Sequence, residues 1–230
     1  MLRVLFPALR FGCLALLLVA IGLTIPSVTR AEDEVPAASK IAATAKATPQ
    51  GKLIQNLGDR AIAILADKNL NVEQRNNQFR DMLRNSFDLM TIGRFVIGRS
   101  WNAATPDQQK EYTKLFEELV VQTYSDRFAL YTGEGFRVVS IRIEGEKDVV
   151  VNSEITHPDG SAPTTVDWRV RQRGDKMGII DVVVEGVSMS VTQRQEYAAV
   201  IQDGGFESLL TMMRQRVQEA TPVVAKANKG

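Results

Sequence analysis

The chain has little of what most enzymes use. Of its 230 residues one is cysteine, Cys13, and one is histidine, His157. Cys13 lies in an N-terminal apolar stretch, too early and followed by too much apolar sequence to be a lipid-attachment site. With that stretch removed no thiol remains for a disulfide, and zinc sites of the usual His/Cys kind are excluded. His157 precedes Pro158 in a turn-rich segment, where a solitary histidine reads as a solvated surface residue. Neither Ser153 nor Ser161 has the nucleophile-elbow context that a Ser-His-acid arrangement needs. Gly133-x-Gly135 leads into a strand, opposite to a phosphate-binding loop. Asp181 and Glu185 share the polar side of a strand roughly 13 Å apart, beyond the ~9.5 Å reach of a glycosidase pair. They read as structural or exposed carboxylates. Arg173-Gly174-Asp175 matches an adhesion tripeptide but is ordinary turn chemistry. The expectation is a protein that is not an enzyme, with no metal and no cofactor.

An excess of one charge is missing too, with 28 basic residues against 27 acidic ones. Arg3, Arg10 and Arg30 flank an apolar run over 11–25, and Thr29-Arg30-Ala31 resembles a small-x-small cleavage site. Residues 1–31 therefore have the three-part anatomy of a secretory signal peptide, with an uncleaved anchor as the alternative. The run is short for a spanning helix, which needs ~20 residues. Cleavage leaves 25 basic against 27 acidic residues, near −2. No charge block stands out, which argues against nucleic acid and against strong adhesion to anionic membranes.

What is present is an ordinary soluble composition, 44% apolar and 24% charged, enough for one domain of roughly 170 residues. Residues 32–50 are Ala-, Ser-, Thr- and Lys-rich and read as a flexible leader. The domain is expected over 51–220, with a polar tail over 221–230. Leu53, Ile54, Leu57, Ala61, Ile62 and Leu65 recur at helical spacing. Asn71 with Gln74, and Thr105-Pro106 with Gln108, are capping-box starts of two further helices. The stretch 87–101 is less regular, with glycines at 93 and 98 suggesting a short helix in a close turn or tight packing.

Past Gly133 and Gly135 the period changes from 3.6 to 2. Strands are expected over 136–143, 148–155, 164–171 and 177–187, joined by short Gly-containing turns, which suits an antiparallel meander. The last of these organises the chain. Ile180, Val182 and Val184 alternate with Asp181 and Glu185, Gly186 breaks the strand, and Ser190-x-x-Gln193 reads as a capping box opening the next helix. That helix stops at Gly204-Gly205, and a last one carries Phe206, Leu209, Leu210, Met213 and Val217 on one side. Helices, then a sheet, then helices give an α+β domain: a four-stranded antiparallel sheet with helices packed on one face. The apolar faces fit either a filled core or a cavity, and periodicity does not separate the two.

The literal residues add a resemblance. Gly98-x-x-Trp101, Thr105-Pro106-Asp107-Gln108-Gln109 leading to Phe116, and Tyr124 form one part of it. Ile180-Asp181-Val182-x-Val184-Glu185-Gly186-Val187-Ser188-Met189, Gln193-Arg194, and Gly204-Gly205 before Phe206, Leu209 and Leu210 form the other. Together, over about 50–218, they resemble the MlaC family of periplasmic phospholipid-binding proteins, also called the toluene-tolerance auxiliary family, which includes a hopanoid-associated branch, HpnM. That family often has Trp-Lys near the start of its last strand. This chain has Lys176-Met177-Gly178 there and its tryptophan at Trp168, a departure that bears on pocket shape and cargo.

The resemblance implies a periplasmic carrier, exported by the signal peptide, with a phospholipid or a hopanoid as ligand. It implies shuttling between an outer-membrane lipoprotein complex and an inner-membrane MCE-type ABC transporter complex, without cofactor or reaction. An adaptor with a filled core, docking on an envelope transport complex, is the reading of a different class. If the domain encloses an apolar pocket, alternation assigns Val139, Ile141, Val149, Val151, Val166, Trp168, Val182 and Val184 to its sheet wall. Helical spacing assigns Phe116, Leu119, Tyr124 and Phe128 to the helix wall. A register slip of one residue on the first two strands would reverse their inward set.

Overall fold

The computed structural model describes residues 34–128, 131 and 133–220, with backbone only at 34–38, 72, 124–128 and 220. The expected signal segment and C-terminal tail lie outside these residues. Six helices come first: α1 (Glu34–Ala47), α2 (Pro49–Ala66), α3 (Val72–Ser86), α4 (Leu89–Ile97), α5 (Ser100–Ala103) and α6 (Pro106–Phe128). Strands β1 (Gly135–Glu144), β2 (Asp148–Thr156), β3 (Thr164–Arg173), β4 (Lys176–Val184) and β5 (Val187–Ser188) follow, then α7 (Met189–Ala220).

The helix starts follow from side chains that satisfy free backbone N–H groups. The Asn71 carboxamide accepts from the Gln74 N–H at 2.9 Å while the Gln74 side chain accepts from the Asn71 N–H at 3.0 Å. Thr105 and Gln108 exchange the same pair of bonds at 3.0 and 3.2 Å. One expectation fails here. The leader over 32–50 is largely helical, because α1 is rich in alanine, the best helix former, and Ala45 is buried against the domain. The absence of large side chains hid this. At the other end the expected stop is present: φ of 77° at Gly205 breaks the helical backbone, so α7 is two helical stretches joined across a kink.

The sheet is antiparallel in the order β1-β2-β3-β4-β5. It has five strands rather than the expected four. After Val184 the chain turns back through Glu185 and Gly186, both at positive φ (49° and 79°), and Val187 pairs with Val184. Positive φ at both central residues is what a tight hairpin requires, since it matches the twist of the strands. Glu185 is held there by accepting bonds from the Thr165 N–H and hydroxyl. The cap of α7 also shifts. Ser188, not Ser190, accepts from the Val191 N–H at 3.1 Å, and Gln193 donates to Glu196. Two residues spent in β5 move the cap two places upstream.

On the inner face, rows such as Val149–Val170–Ile179 and Val151–Trp168–Val182 run across β2, β3 and β4. On β1 the expected period-two register is broken by a bulge at Val139, which lies between the pairs Val138–Ser153 and Ser140–Asn152. Val138 rather than Val139 therefore enters the core, with Ile141 following three residues later. The Val138 N–H, at the sheet edge, donates to the Gln55 side chain of α2 at 3.1 Å.

The apolar residues form two clusters. One joins the inner sheet face to Ile54 and Leu57 of α2 and Phe79, Met82 and Leu83 of α3. The other is helical throughout: Val96 and Ile97 of α4, Tyr112, Leu115 and Phe116 of α6, and Tyr197, Leu209 and Met213 of α7. Val120 of α6 packs against both.

The outer sheet face is a lattice of ion pairs. Arg137 meets Glu154, Arg142 bridges Asp167 and Glu144, Arg169 meets Glu144, and Arg171 is bidentate to Asp148 at 2.7 Å. Val150, flanked in register by Arg142 and Arg169, is only 3% exposed, so the arginine stems act as its cover.

The hydrogen bonds from Arg171 hold the Asp148 carboxyl below its ordinary value near 3.8. The folded state thus prefers the ionised form. Its contribution is complete above the unfolded pKa and is lost as pH falls through the lowered folded value. Chemical denaturation of Asp148→Asn between pH 7 and 2.5 should show lower stability at pH 7 and a flatter acid limb than the parent. An unchanged acid limb would remove this pair as a source of pH dependence.

Candidate functional site

A cavity of about 140 Å³ opens where the two clusters meet. From α4 it takes Leu89, Ile92 and Val96, and from α6 Phe116, Leu119, Val120 and Thr123. Phe87, with Asp181 and Val182 of β4, forms the sheet side. Met189, Ser190, Gln193, Tyr197 and Arg216 of α7 complete the lining. Phe87 and Val182 belong with the sheet cluster, whereas Ile92, Val96, Phe116, Leu119 and Tyr197 belong with the helical one.

Each wall is positioned by local chemistry. Phe87 bridges to Ile179 of β4, and the Asp88 N–H donates to the Ile179 carbonyl at 2.9 Å. The Asp88 carboxylate then caps α4, accepting from the Thr91 N–H and hydroxyl at 3.0 and 2.6 Å. This pins the first turn of α4 to the sheet. Farther along, Gly93 lets α4 and α6 approach closely, since a Cβ there would lie 3.3 Å from Phe116 and 3.5 Å from Tyr112. The Tyr112 hydroxyl donates to the Gly93 carbonyl at 3.0 Å, and burial pushes its pKa far above the ordinary phenol value, so it stays a donor.

The polar lining is concentrated on α7 and the corner before it. Asp181 ties that corner together: it accepts from the Ser188 hydroxyl at 2.7 Å, the Ser190 N–H at 3.1 Å and the Val182 N–H at 2.9 Å. Gln193 donates to Glu196 at 3.1 Å. Tyr197 is buried, which pushes its phenol up to about 12. Among the described residues no cluster of His, Cys, Asp and Glu could hold a metal ion, and no helix is long and apolar enough to cross a membrane. The arrangement offers apolar volume and a polar border rather than a nucleophile beside a base.

The model of the family described as MlaC protein matches residues 55–215. This chain belongs to the MlaC family. A curated MlaC relative, the intermembrane phospholipid transport system binding protein MlaC of Haemophilus influenzae, is 23% identical over 174 residues, covering 73% of this chain and 81% of that protein. Among solved structures, the phospholipid-binding protein of Ralstonia solanacearum in complex with a phospholipid superposes with a TM-score of 0.66 at 24% identity. That match covers 74% of this chain and 97% of the other, and establishes a shared fold.

Within this MlaC fold the residues assigned from sequence separate. Phe116, Leu119 and Val182 line the cavity. Trp168 stands one layer behind, edge-on to Phe87 at 6.4 Å, with its indole N–H donated to Ser153 at 2.9 Å. Val151 and Val166 are buried, and Val149 and Ile141 pack into the sheet cluster. Val184 is half-buried beside the β4–β5 turn, and Val139 sits in the bulge. The side chains of Tyr124 and Phe128 fall outside the described residues. Sequence reasoning expected helices at α4 and α7 but missed that both line the cavity. Leu89, Ile92 and Val96, spaced three and four apart, carried a helical stripe that would have revealed the first of these walls.

Because Asp181 serves both the strand and the start of α7, Asp181→Ala should cost about 2 kcal/mol in urea denaturation, with Asp181→Asn intermediate. A loss below about 0.5 kcal/mol would show that the corner holds without it.

Proposed function

We propose that this protein is a periplasmic lipid carrier that takes up a phospholipid between its sheet and helices. The observation carrying this reading is an apolar cavity at the seam of two core clusters, in a chain of the MlaC family whose fold is shared with a protein solved with phospholipid. We place the carrier between an outer-membrane lipoprotein complex and an inner-membrane MCE-type ABC transporter complex, with export directed by residues 1–31. It carries out no reaction.

The physical need is large. Each buried methylene is worth about 0.8 kcal/mol, so two chains of ~16 carbons represent roughly 25 kcal/mol of transfer from water. Free lipid therefore barely crosses an aqueous gap, and its tails must be walled off. The cavity of about 140 Å³ is smaller than the ~300–1,000 Å³ of ordinary ligand sites, so loading widens it. A seam is suited to widening. Tails wedged between the sheet cluster and the helical cluster separate surfaces that meet at few residues, Val120 among them, and leave each cluster packed. Phe116, Leu119 and Val182 are then the first contacts. Trp168, Val151, Val166 and Val184 come into reach as the seam opens along β2–β4.

Filling the cavity tests this without placing a charge in the core. Leu119→Trp and Ile92→Trp, each at a half-buried lining position, should fold with small changes in melting temperature. After incubation with vesicles, native mass spectrometry should show lipid loading reduced about tenfold or more. Full loading of both folded variants would exclude this cavity as the entry to the site.

A further inference from the structure

The lining of the cavity contains one cation among the described residues, Arg216, and its setting differs from that of its neighbour two residues earlier. Arg214 is fully committed, bidentate to Glu111 at 2.7 and 2.9 Å and bonded to Glu207 at 2.9 Å. Arg216 is exposed, lines the cavity, and makes no ion pair or hydrogen bond with any described residue. Its charge acts on the buried Tyr197, another lining residue. Two acidic residues of this region are already engaged. Asp181 accepts three bonds from its own corner, and Glu196, which also acts on Tyr197, accepts from Gln193.

We propose that Arg216 is the anion-recognition residue of the cargo site: it holds an acidic group that remains at the cavity border while an apolar tail enters. This rests on the carrier reading above and narrows its substrate class to anionic amphiphiles. A guanidinium presents several fixed N–H donors to a phosphate or carboxylate and stays charged at any working pH. With no protein carboxylate to displace, the whole interaction is available to the ligand. A phosphodiester on a diacylglycerol and the carboxylate of a fatty acid share this chemistry. A neutral polycyclic lipid does not.

The test compares the parent with Arg216→Gln and Arg216→Lys, after each is incubated with phosphatidylcholine vesicles doped with one probe: phosphatidylglycerol, dioleoylglycerol, oleic acid or a neutral hopanoid alcohol. Bound lipid per protein is counted by native mass spectrometry, with thermal melts confirming that the variants fold. The expected result is phospholipid loading that falls about tenfold in Arg216→Gln and recovers partly in Arg216→Lys, with dioleoylglycerol loading unchanged. Arg216-dependent loading of oleic acid alone would keep the anion contact and assign it to a fatty acid. Equal phospholipid loading by parent and Arg216→Gln would overturn the role of Arg216 while leaving the carrier intact. Preferential, Arg216-independent loading of the hopanoid alcohol would also overturn it. If the parent takes up none of the four probes or phosphatidylcholine, the carrier reading itself fails.

Discussion

The apolar surface of this chain is buried in two clusters rather than one, and α6 is the element that both require. Its N-terminal half gives Tyr112, Leu115 and Phe116 to the helical cluster, while Val121 belongs to the cluster beneath the sheet. A single helix can serve both because residues about three to four apart share a face and the face drifts along a helix of more than twenty residues. Packing between the two clusters is then confined to a seam. That seam holds the cavity, so the site is a consequence of how the core is divided.

The second constraint is the corner around Asp181. A strand that ends beside a helix start leaves backbone donors without partners. Here one carboxylate, in β4, takes up bonds from β4, β5 and the beginning of α7. The Glu185–Gly186 turn makes this possible by sending the chain back along β4 for two residues before the helix begins. Strand, turn and helix therefore meet as one unit, and Met189, Ser190, Gln193 and Tyr197 of α7 face the cavity from it. The first turn of α4 is fixed to the same strand through Phe87 and Asp88. Two of the cavity walls thus take their position from β4.

The contrast between the two sheet faces bears on how such a domain can both hold and release apolar cargo. The outer face is largely closed by paired charges and by arginine stems lying over Val150. The inner face is apolar and covered by helices. On the proposed carrier reading, lipid therefore enters from the inner side, and what sits there is helix packed on sheet. Helix-on-sheet contacts are side-chain contacts, which yield more readily than the hydrogen-bonded ladders within the sheet.

Much of this was legible in the residues. Capping boxes at Asn71 and Thr105, alternation along β2 and β3, and the Gly204-Gly205 stop are local signals. Each records a backbone group that a nearby side chain must satisfy, or a face that must alternate. The family, too, could be read from the string around Asp181-Val182. What remained hidden depended on partners far away in sequence. Alanine-rich α1 is helical, and Ala45 finds burial that its own composition does not announce. Val139 yields its place to Val138 because a bulge changes the parity of β1, and alternation cannot show one extra residue. Ser188 replaces Ser190 as the cap because β5 exists, which depends on Glu185 reaching Thr165 across the sheet. The cavity belongs to this second kind. Sequence determined which faces are apolar, since that is fixed by side-chain type and period. Whether those faces meet without a gap depends on how helices from both ends of the chain stack on one sheet, and only the tertiary structure decided that.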